Sequence, residues 1–489
     1  MTKVATALLV VAVLAAGSIA AADPGLAPQA DGVFCADKPD SVDSRIATAV
    51  NAKGIGPVTT GPVAILDTGV SAAAPEIGER LVSPYDAATG ADEADDFDGH
   101  GTEVAGIAAG APGLIQGVSP NSPIMPVRVY NRLGNSSAQW LTAGINWAAT
   151  HGAAVINVSS SIPEADVSAG DLLALTRAIN DAVNKNILVV AAVGNEGNGQ
   201  RDSPAVLPHV IAVGGSDMTG ARAPFSNWGL FVDLVAPAAA LIGPMPSNYC
   251  STGYGVGNGT SFAAPSVAAA AALLAARHPE YSPQQRIDVL KTSARDVAPA
   301  GREEDTGYGL LDVGAALAAR APVPEASREI DDDAYYVRGP YAAGHPTLLA
   351  RRRSIRLAGS LSAIKDPVDV YPVRVKKGER LSIDATVGTA DSLIALGIWK
   401  PTVGDFDISA GNVKQQLVST GGFSATPALV MRAKKAGTYF MSVEAPDAVD
   451  PDDPDTVPPY SQTYQVRVSK SPPPRQKTKT KTKPGRPRK

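Results

Sequence analysis

Pro62-Val63-Ala64-Ile65-Leu66-Asp67-Thr68-Gly69 is an unbroken apolar run closed by a carboxylate and a glycine. Apolar residues that do not alternate with polar ones mark a strand covered on both faces, which is how parallel strands occur in α/β proteins. The stretch therefore predicts a buried parallel strand with Asp67 at its C-terminal end. Open α/β sheets place their chemistry outside the carboxyl ends of their strands. Ile187-Leu188-Val189-Val190-Ala191-Ala192-Val193-Gly194-Asn195-Glu196-Gly197 repeats the pattern and brings Asn195 to a second strand end.

Two helical segments supply the partners. Asp98-Gly99-His100-Gly101-Thr102-Glu103-Val104-Ala105-Gly106-Ile107-Ala108 carries His100 into a helix whose small residues allow close packing. Gly259-Thr260-Ser261-Phe262-Ala263-Ala264-Pro265 sets a serine at a tight turn before an Ala-rich helix. Gly259 bends without a Cβ clash, and Pro265 is expected in the first helical turn, where its missing N–H is not needed. Free backbone donors and the positive end of the helix dipole then lie beside the hydroxyl, a setting suited to a nucleophile that passes through an oxyanion. Each residue alone has a plain structural reading: Asp67 as a strand-end cap, His100 as a packed helix residue, Asn195 as a turn former, Ser261 as an N-cap. The order Asp67, His100, Asn195, Ser261 in one chain argues for chemistry. The other histidines, at 151, 209, 278 and 345, lie outside motifs and are read as ordinary.

On these four motifs residues 60–320 resemble the subtilase (subtilisin-like) family of serine peptidases, in which acid, base and nucleophile follow in this order. The resemblance implies a mostly parallel α/β sheet flanked by helices and acyl transfer on protein or peptide substrates. Ser261 would attack, His100 would take and return the proton, and Asp67 would orient the imidazole. The Asn195 amide and the Ser261 N–H would bind the oxyanion. It also implies that Ser159, Ser160 and Ser161, ending Ala154-Val155-Ile156-Asn157-Val158-Ser159-Ser160-Ser161, form the edge on which an extended substrate lies. Ser160-Ser161 stands where the family usually has Leu-Gly, which narrows the pocket for the residue before the scissile bond. Asp202, before Ser203-Pro204-Ala205, resembles the loop near the base of that pocket; with Glu196 at the rim it either favours Arg or Lys there or is a solvated loop charge. No cofactor is required. Many subtilases hold structural calcium, and Asp92, Glu93, Asp95, Asp96 and Asp98 offer oxygen ligands, but no spacing matches a defined calcium loop, a solvated acidic loop is preferred, and no metal ligand is assigned. The reading from another class is a catalytically silent exported protein that binds the cell envelope.

The rest of the 489 residues fits an exported chain of several domains. Residues 1–22 begin with Lys3 in the n-region, run through an apolar core and end in Ala20-Ala21-Ala22, the layout of a signal peptide. Residues 23–60 form a short N-terminal extension, expected to wrap the catalytic domain of residues 61–320. That short extension, DGHGT and GTSFAAP resemble the mycosin branch found beside type VII secretion systems. Mycosins end in a membrane anchor, whereas no later segment here reaches about 18 uninterrupted apolar residues, so a freely secreted monomer without a transmembrane anchor is expected. The chain has two cysteines, Cys35 and Cys250, and an isolated pair in an exported protein is expected to be bridged.

Residues 321–356 read as a linker with Pro322, Pro324, Asp331-Asp332-Asp333 and Arg351-Arg352-Arg353; the triple arginine is either a maturation site or an exposed basic turn. From 357 to 469 apolar residues alternate with polar ones, as at Tyr371, Val373 and Val375, which predicts a smaller antiparallel β-sandwich or jelly roll. Asp366-Pro367-Val368-Asp369-Val370-Tyr371 and Ala436-Gly437-Thr438-Tyr439 resemble the bacterial pre-peptidase C-terminal domain, which accompanies secreted peptidases. Residues 470–489 hold nine Lys or Arg and no acid, and removing them from the net charge of −5 leaves −14 for the remainder. Such a segment is expected to be disordered, and either contacts anionic cell-wall polymer, ahead of nucleic acid in an exported chain, or is simply solvated.

Overall fold

The computed structural model describes residues 34–321, except 56–57, 75, 111–112, 230 and 298–300, and then 349, 353–361, 368–388, 394–399, 417–444 and 462–472. The leader, most of the linker and all but the first residues of the basic tail lie outside the described residues.

Val63–Asp67 occupies an interior position of a seven-stranded sheet. Its spatial order is Leu234–Pro237, Val210–Ser216, Leu188–Ala192, Val155–Val158, Val63–Asp67, Ile124–Arg128, Tyr85–Asp86, and every neighbouring pair is parallel. Successive strand side chains point to opposite faces. Val63 and Ile65 thus join a core with Val104, Ile107, Phe262 and Leu274, while Ala64 and Leu66 join a second with Leu141, Ile145, Leu175 and Ile179. Helices His100–Ala109 and Thr260–Arg277 cover the first face; Ala138–Thr150 and Ala169–Asn184 cover the other. Ile65 and Leu66 are fully buried, each contributing about 1.5–3 kcal/mol through removal from water. Asp67 ends the strand at which the chain order of the sheet reverses, the usual place for a ligand in such sheets.

Three of the helices begin at serine caps. Ser137 accepts from Trp140 N, Ser168 from Asp171 N, and Ser282 and Gln285 form a reciprocal capping box. Among the described residues one helix, Thr260–Arg277, is long and apolar enough to cross a membrane, and its apolar side chains fill the core instead.

The extension wraps this unit. Phe34–Cys35 pairs antiparallel with Tyr254–Gly257, which pairs with Leu241–Pro244, and Cys35 is bonded to Cys250. Ile46, Ala47 and Val50 enter the first core. Val50 O accepts from Val313 N at 2.8 Å.

The C-terminal residues form two four-stranded antiparallel sheets. One runs Ser354–Leu361, Gln462–Ser471, Arg380–Val387, Ala428–Arg432; the other Val368–Val375, Gly437–Glu444, Ile394–Trp399, Leu417–Ser424. Their inward residues, among them Val373, Leu381, Ile398, Met441 and Val468, share one core, in which the Tyr371 and Tyr464 hydroxyls hydrogen-bond to each other. This is the sandwich that the alternating pattern predicts.

Candidate active site

Asp67 is fully buried at its strand end. Its Oδ1 accepts from Thr68 N at 2.6 Å and lies 2.7 Å from His100 Nδ1, while Oδ2 has no partner. His100 opens its helix behind Gly99, whose φ of 101° favours glycine. Gly101 permits the close approach: a β-carbon there would stand 2.1 Å from Gly69 O and 3.0 Å from Asp67 Oδ1. Asp96 fixes the helix start, accepting from Gly99 N and Thr102 N at 2.9 Å, Asp98 N at 3.0 Å and the Thr68 and Thr102 hydroxyls. Burial raises the Asp67 carboxyl, and the facing imidazole pulls it back. For His100 burial acts downward, but Asp67, helped by Glu103 and Asp98, lifts the imidazole to about 9. With Nδ1–H donated to Asp67, Nε2 is the nitrogen left to act as a base.

Ser261 is the second residue of its helix, behind Gly259 at φ 145°. Pro265 lies inside the helix rather than in its first turn, which corrects the expectation from the sequence. A proline there leaves the carbonyl four residues back without its helical donor. That carbonyl belongs to Ser261, and the Ser159 hydroxyl donates to it at 2.8 Å. Asn157 Nδ2 in turn donates to Ser159 Oγ at 2.8 Å. Ser261 Oγ donates to Ser159 O at 3.4 Å and not to His100. The imidazole packs against Phe262, the next residue, with ring centroids 4.9 Å apart.

Asn195 is held by its carbonyl end: Oδ1 accepts from Thr260 N at 2.8 Å and from Thr260 Oγ1 at 3.0 Å. Thr260 thus ties Asn195 to the turn that carries Ser261.

Ser159 and Ser160 are buried, the Ser160 hydroxyl has no partner, and Ser161 is half-buried. Asp202 sits in the short strand Asp202–Ser203, paired with Ile162–Pro163. It is fully buried, not a solvated loop charge; Gln200 Nε2 donates to Oδ1 at 3.0 Å and Oδ2 has no partner. Burial raises its carboxyl, the Gln200 and Ser161 hydrogen bonds lower it, and Glu196 and Asp166 add to the rise. Asp202 Oδ2 and Glu196 Oε2 converge on Gly194, 2.4 and 2.9 Å from where its β-carbon would stand. Exposed Glu196 is oriented by Asn227 Nδ2 at 2.7 Å and Asn195 N at 3.0 Å.

In the acidic run Asp92, Glu93, Asp95 and Asp98 are exposed, while both oxygens of Asp96 are engaged in capping. Among the described residues no group of three or more His, Cys, Asp or Glu is placed to hold a metal ion. The sequence gives no role to Asn157 or Asn227, and Asp96 enters it only as a possible oxygen ligand, not as the cap of the His100 helix. Asn157 had a signal, as the lone polar residue of an apolar strand; Asn227 had none.

The subtilase family profile matches residues 61–309. An alkaline protease of Alkalihalobacillus alcalophilus is 36% identical over 256 residues, covering 52% of this chain and 63% of that protein, so the chain spans less than two thirds of that relative. Subtilisin Savinase of Lederbergia lenta is 35% identical over 256 residues, with 89% of its length covered. Among solved structures, the MycP3 protease from a type VII (ESX-3) secretion system matches at a TM-score of 0.50 and 26% identity, over 61% of this chain and 99% of that one.

Proposed function

The chain belongs to the subtilase family, and from that premise we propose that it is a secreted serine endopeptidase that hydrolyses protein or peptide substrates through an acyl-enzyme on Ser261. The observation that carries the reading is the 2.7 Å contact of His100 Nδ1 with buried Asp67 Oδ1, on the frame that also holds Ser261 at a helix N-terminus. His100 Nε2 takes the Ser261 proton as Oγ attacks the carbonyl, then delivers it to the leaving amine; Asp67 keeps the imidazole in the required tautomer. Asn195 Nδ2 and the Ser261 N–H receive the oxyanion, the Asn195 carbonyl being anchored on Thr260. Water then repeats the sequence on the ester.

Substrate lies along residues 159–161 as an added strand, with Ser159 contributing backbone while its hydroxyl supports the Ser261 turn. The acids Asp202 and Glu196 favour Arg or Lys before the scissile bond. Asp202→Asn lowers that preference and spares apolar substrates; a peptide-library profile dominated by large apolar residues at that position overturns it. Residues 1–22 direct export, 357–469 form an accessory domain, and 470–489 bind anionic cell-wall polymer. Truncation after Val468 then lowers envelope retention, and raising salt does the same to the full chain, since charges are screened over about 10 Å at 0.1 M.

The chemistry is tested with a fluorophosphonate probe, which reacts with an activated serine. The full chain is expected to label and to cleave, and Ser261→Ala to do neither. Cleavage by Ser261→Ala at the rate of the unaltered chain, with contaminating proteases excluded, refutes the assignment. A folded chain that neither labels nor cleaves is the silent envelope-binding protein instead.

A further inference from the structure

Glu103 takes no part in the chemistry above, yet it lies one helical turn beyond His100 and is fully buried. Residues three apart on a helix share a face, with β-carbons about 5–6 Å apart. Neither carboxylate oxygen reaches a partner in full hydrogen-bond geometry, and the Gly257 backbone lends it partial support. Gly243 makes its space: a β-carbon there would stand 2.5 Å from Glu103 Cγ. A buried carboxyl without partners is costly when ionised, and an apolar side chain of similar size would fill this place without that cost.

The charged groups around it are few. Its own helix offers His100, with Asp98 just ahead; the Val63–Asp67 strand offers Asp67, and the preceding loop Asp96. The Tyr254–Gly257 strand brings Tyr254, whose hydroxyl donates to Glu76 at 2.6 Å. Leu241–Pro244 carries no ionisable group, and the Thr260–Arg277 helix carries one only at its far end. His100 is thus the basic group with which Glu103 can exchange electrostatic support, and the two act on each other directly.

We propose that Glu103 is a positioning residue acting through His100, a second carboxyl that shares the proton equilibrium of the imidazole across one helical turn and holds its proton to higher pH than Asp67 alone. This rests on the reading of His100 as the base. Burial lifts Glu103 to about 8, below the value of about 9 for His100, so Glu103 is ionised over the range in which the imidazole loses its proton. When His100 becomes imidazolium on taking the Ser261 proton, the carboxylate form of Glu103 is favoured. The two groups therefore titrate as a pair.

The test compares the full chain with Glu103→Gln in two ways. The acid limb of the kcat/KM profile reports the base in the free enzyme, and NMR of the His100 imidazole in a Ser261→Ala background reports the same titration without catalysis. Glu103→Gln is expected to move both to lower pH by about one unit, the size of effect a charge a few ångströms away exerts, and Glu103→Asp to restore part of the shift. Should Glu103→Gln fail to fold, Glu103→Met, apolar and close in volume, makes the same comparison. A merely structural role changes kcat or stability and leaves the limb in place. Unmoved limb and unmoved imidazole titration overturn the inference. If the unaltered chain does not cleave at all, the peptidase reading fails, and the imidazole titration still decides the role of Glu103.

Discussion

Replacing Gly101 with alanine tests whether the approach of the His100–Ala109 helix to the Val63–Asp67 strand sets the geometry of the proposed catalytic pair. The new methyl would lie 2.1 Å from Gly69 O, where real β-carbons do not come closer than 3.0 Å, and 3.0 Å from Asp67 Oδ1. Both neighbours belong to one short backbone segment, so the strain falls on the helix start, which must back away by about 1 Å to reach a tolerable contact. His100 is the adjoining residue, and its 2.7 Å contact with Asp67 would then exceed ordinary hydrogen-bond length. A displacement of about 1 Å at a reacting group costs about 10²-fold in rate, or about 2.7 kcal/mol of barrier. Overpacking should also cost roughly 1–3 kcal/mol of stability, although alanine is the better helix former by about 1 kcal/mol. Gly106→Ala is the control: its methyl would meet Pro244 Cδ at 2.1 Å, on the side of the helix facing the small sheet. The assay is kcat/KM on a peptide amide together with urea unfolding, the latter in a Ser261→Ala background to prevent self-digestion. Gly101→Ala should lose far more kcat than Gly106→Ala for a similar loss of stability. If both variants lose stability equally and keep kcat within threefold of the unaltered chain, the glycine at 101 does not control the pair and the reasoning fails.

Three further outcomes are expected. Asn195→Ala should still react with the fluorophosphonate probe while kcat falls by about 10²–10³, the magnitude that loss of the oxyanion donor has in subtilisin itself; an unchanged kcat would remove Asn195 from the oxyanion site. Cys35→Ser opens a covalent link spanning 215 residues. Loop-closure entropy sets its effect at about 5 kcal/mol, so a shift under about 1 kcal/mol in urea unfolding would show that the bridge constrains little. Glu103 binds its proton more tightly in the fold, at about 8 against 4.5 unfolded. Its contribution to stability is therefore full below pH 4.5 and is lost as pH rises toward 8, so Glu103→Gln should gain on the unaltered chain across that window by a few kcal/mol, measured as unfolding free energy against pH.

The sheet was legible because Val63-Ala64-Ile65-Leu66 must bury both faces, and only strands flanked by two helical layers do so. The sandwich was legible for the complementary reason, since Arg380–Val387 alternates exposed or half-buried residues with buried ones. The pairing of Asp67 with His100, and of Asn195 with the turn that carries Ser261, was legible from motifs that each carry a turn glycine. Pro265 was misplaced by one helical turn because the helix starts at Thr260, and a sequence does not show which tertiary donor will replace the hydrogen bond a proline removes. Ser159 plays that part from 102 residues away. The sequence leaves Asp202 either near a pocket base or solvated in a loop, because its burial depends on pairing with Ile162–Pro163, a contact between short segments without periodicity. The bridge between Cys35 and Cys250 followed from there being one pair, whereas the antiparallel pairing of Phe34–Cys35 with Tyr254–Gly257 had no signal in so short a strand.

Asp96 and Glu103 stand on either side of His100 and are treated oppositely by the fold. Asp96 is buried with both oxygens saturated by donors from Thr68, Asp98, Gly99 and Thr102; Glu103 is buried with neither oxygen bonded. Asp67, which faces His100, has one oxygen bonded and one not. A carboxylate saturated by donors is a fixed charge that holds a helix end, and it gains little from a new cation nearby. A carboxyl left short of donors is stabilised in its charged form chiefly by a positive charge that appears beside it. In the proposed reaction that charge is the imidazolium formed as Ser261 attacks. Polar groups left unsatisfied next to the base are therefore unfavourable in the resting fold and favourable at the moment of proton transfer. The saturated acid builds the site, and the unsaturated ones respond to the chemistry within it.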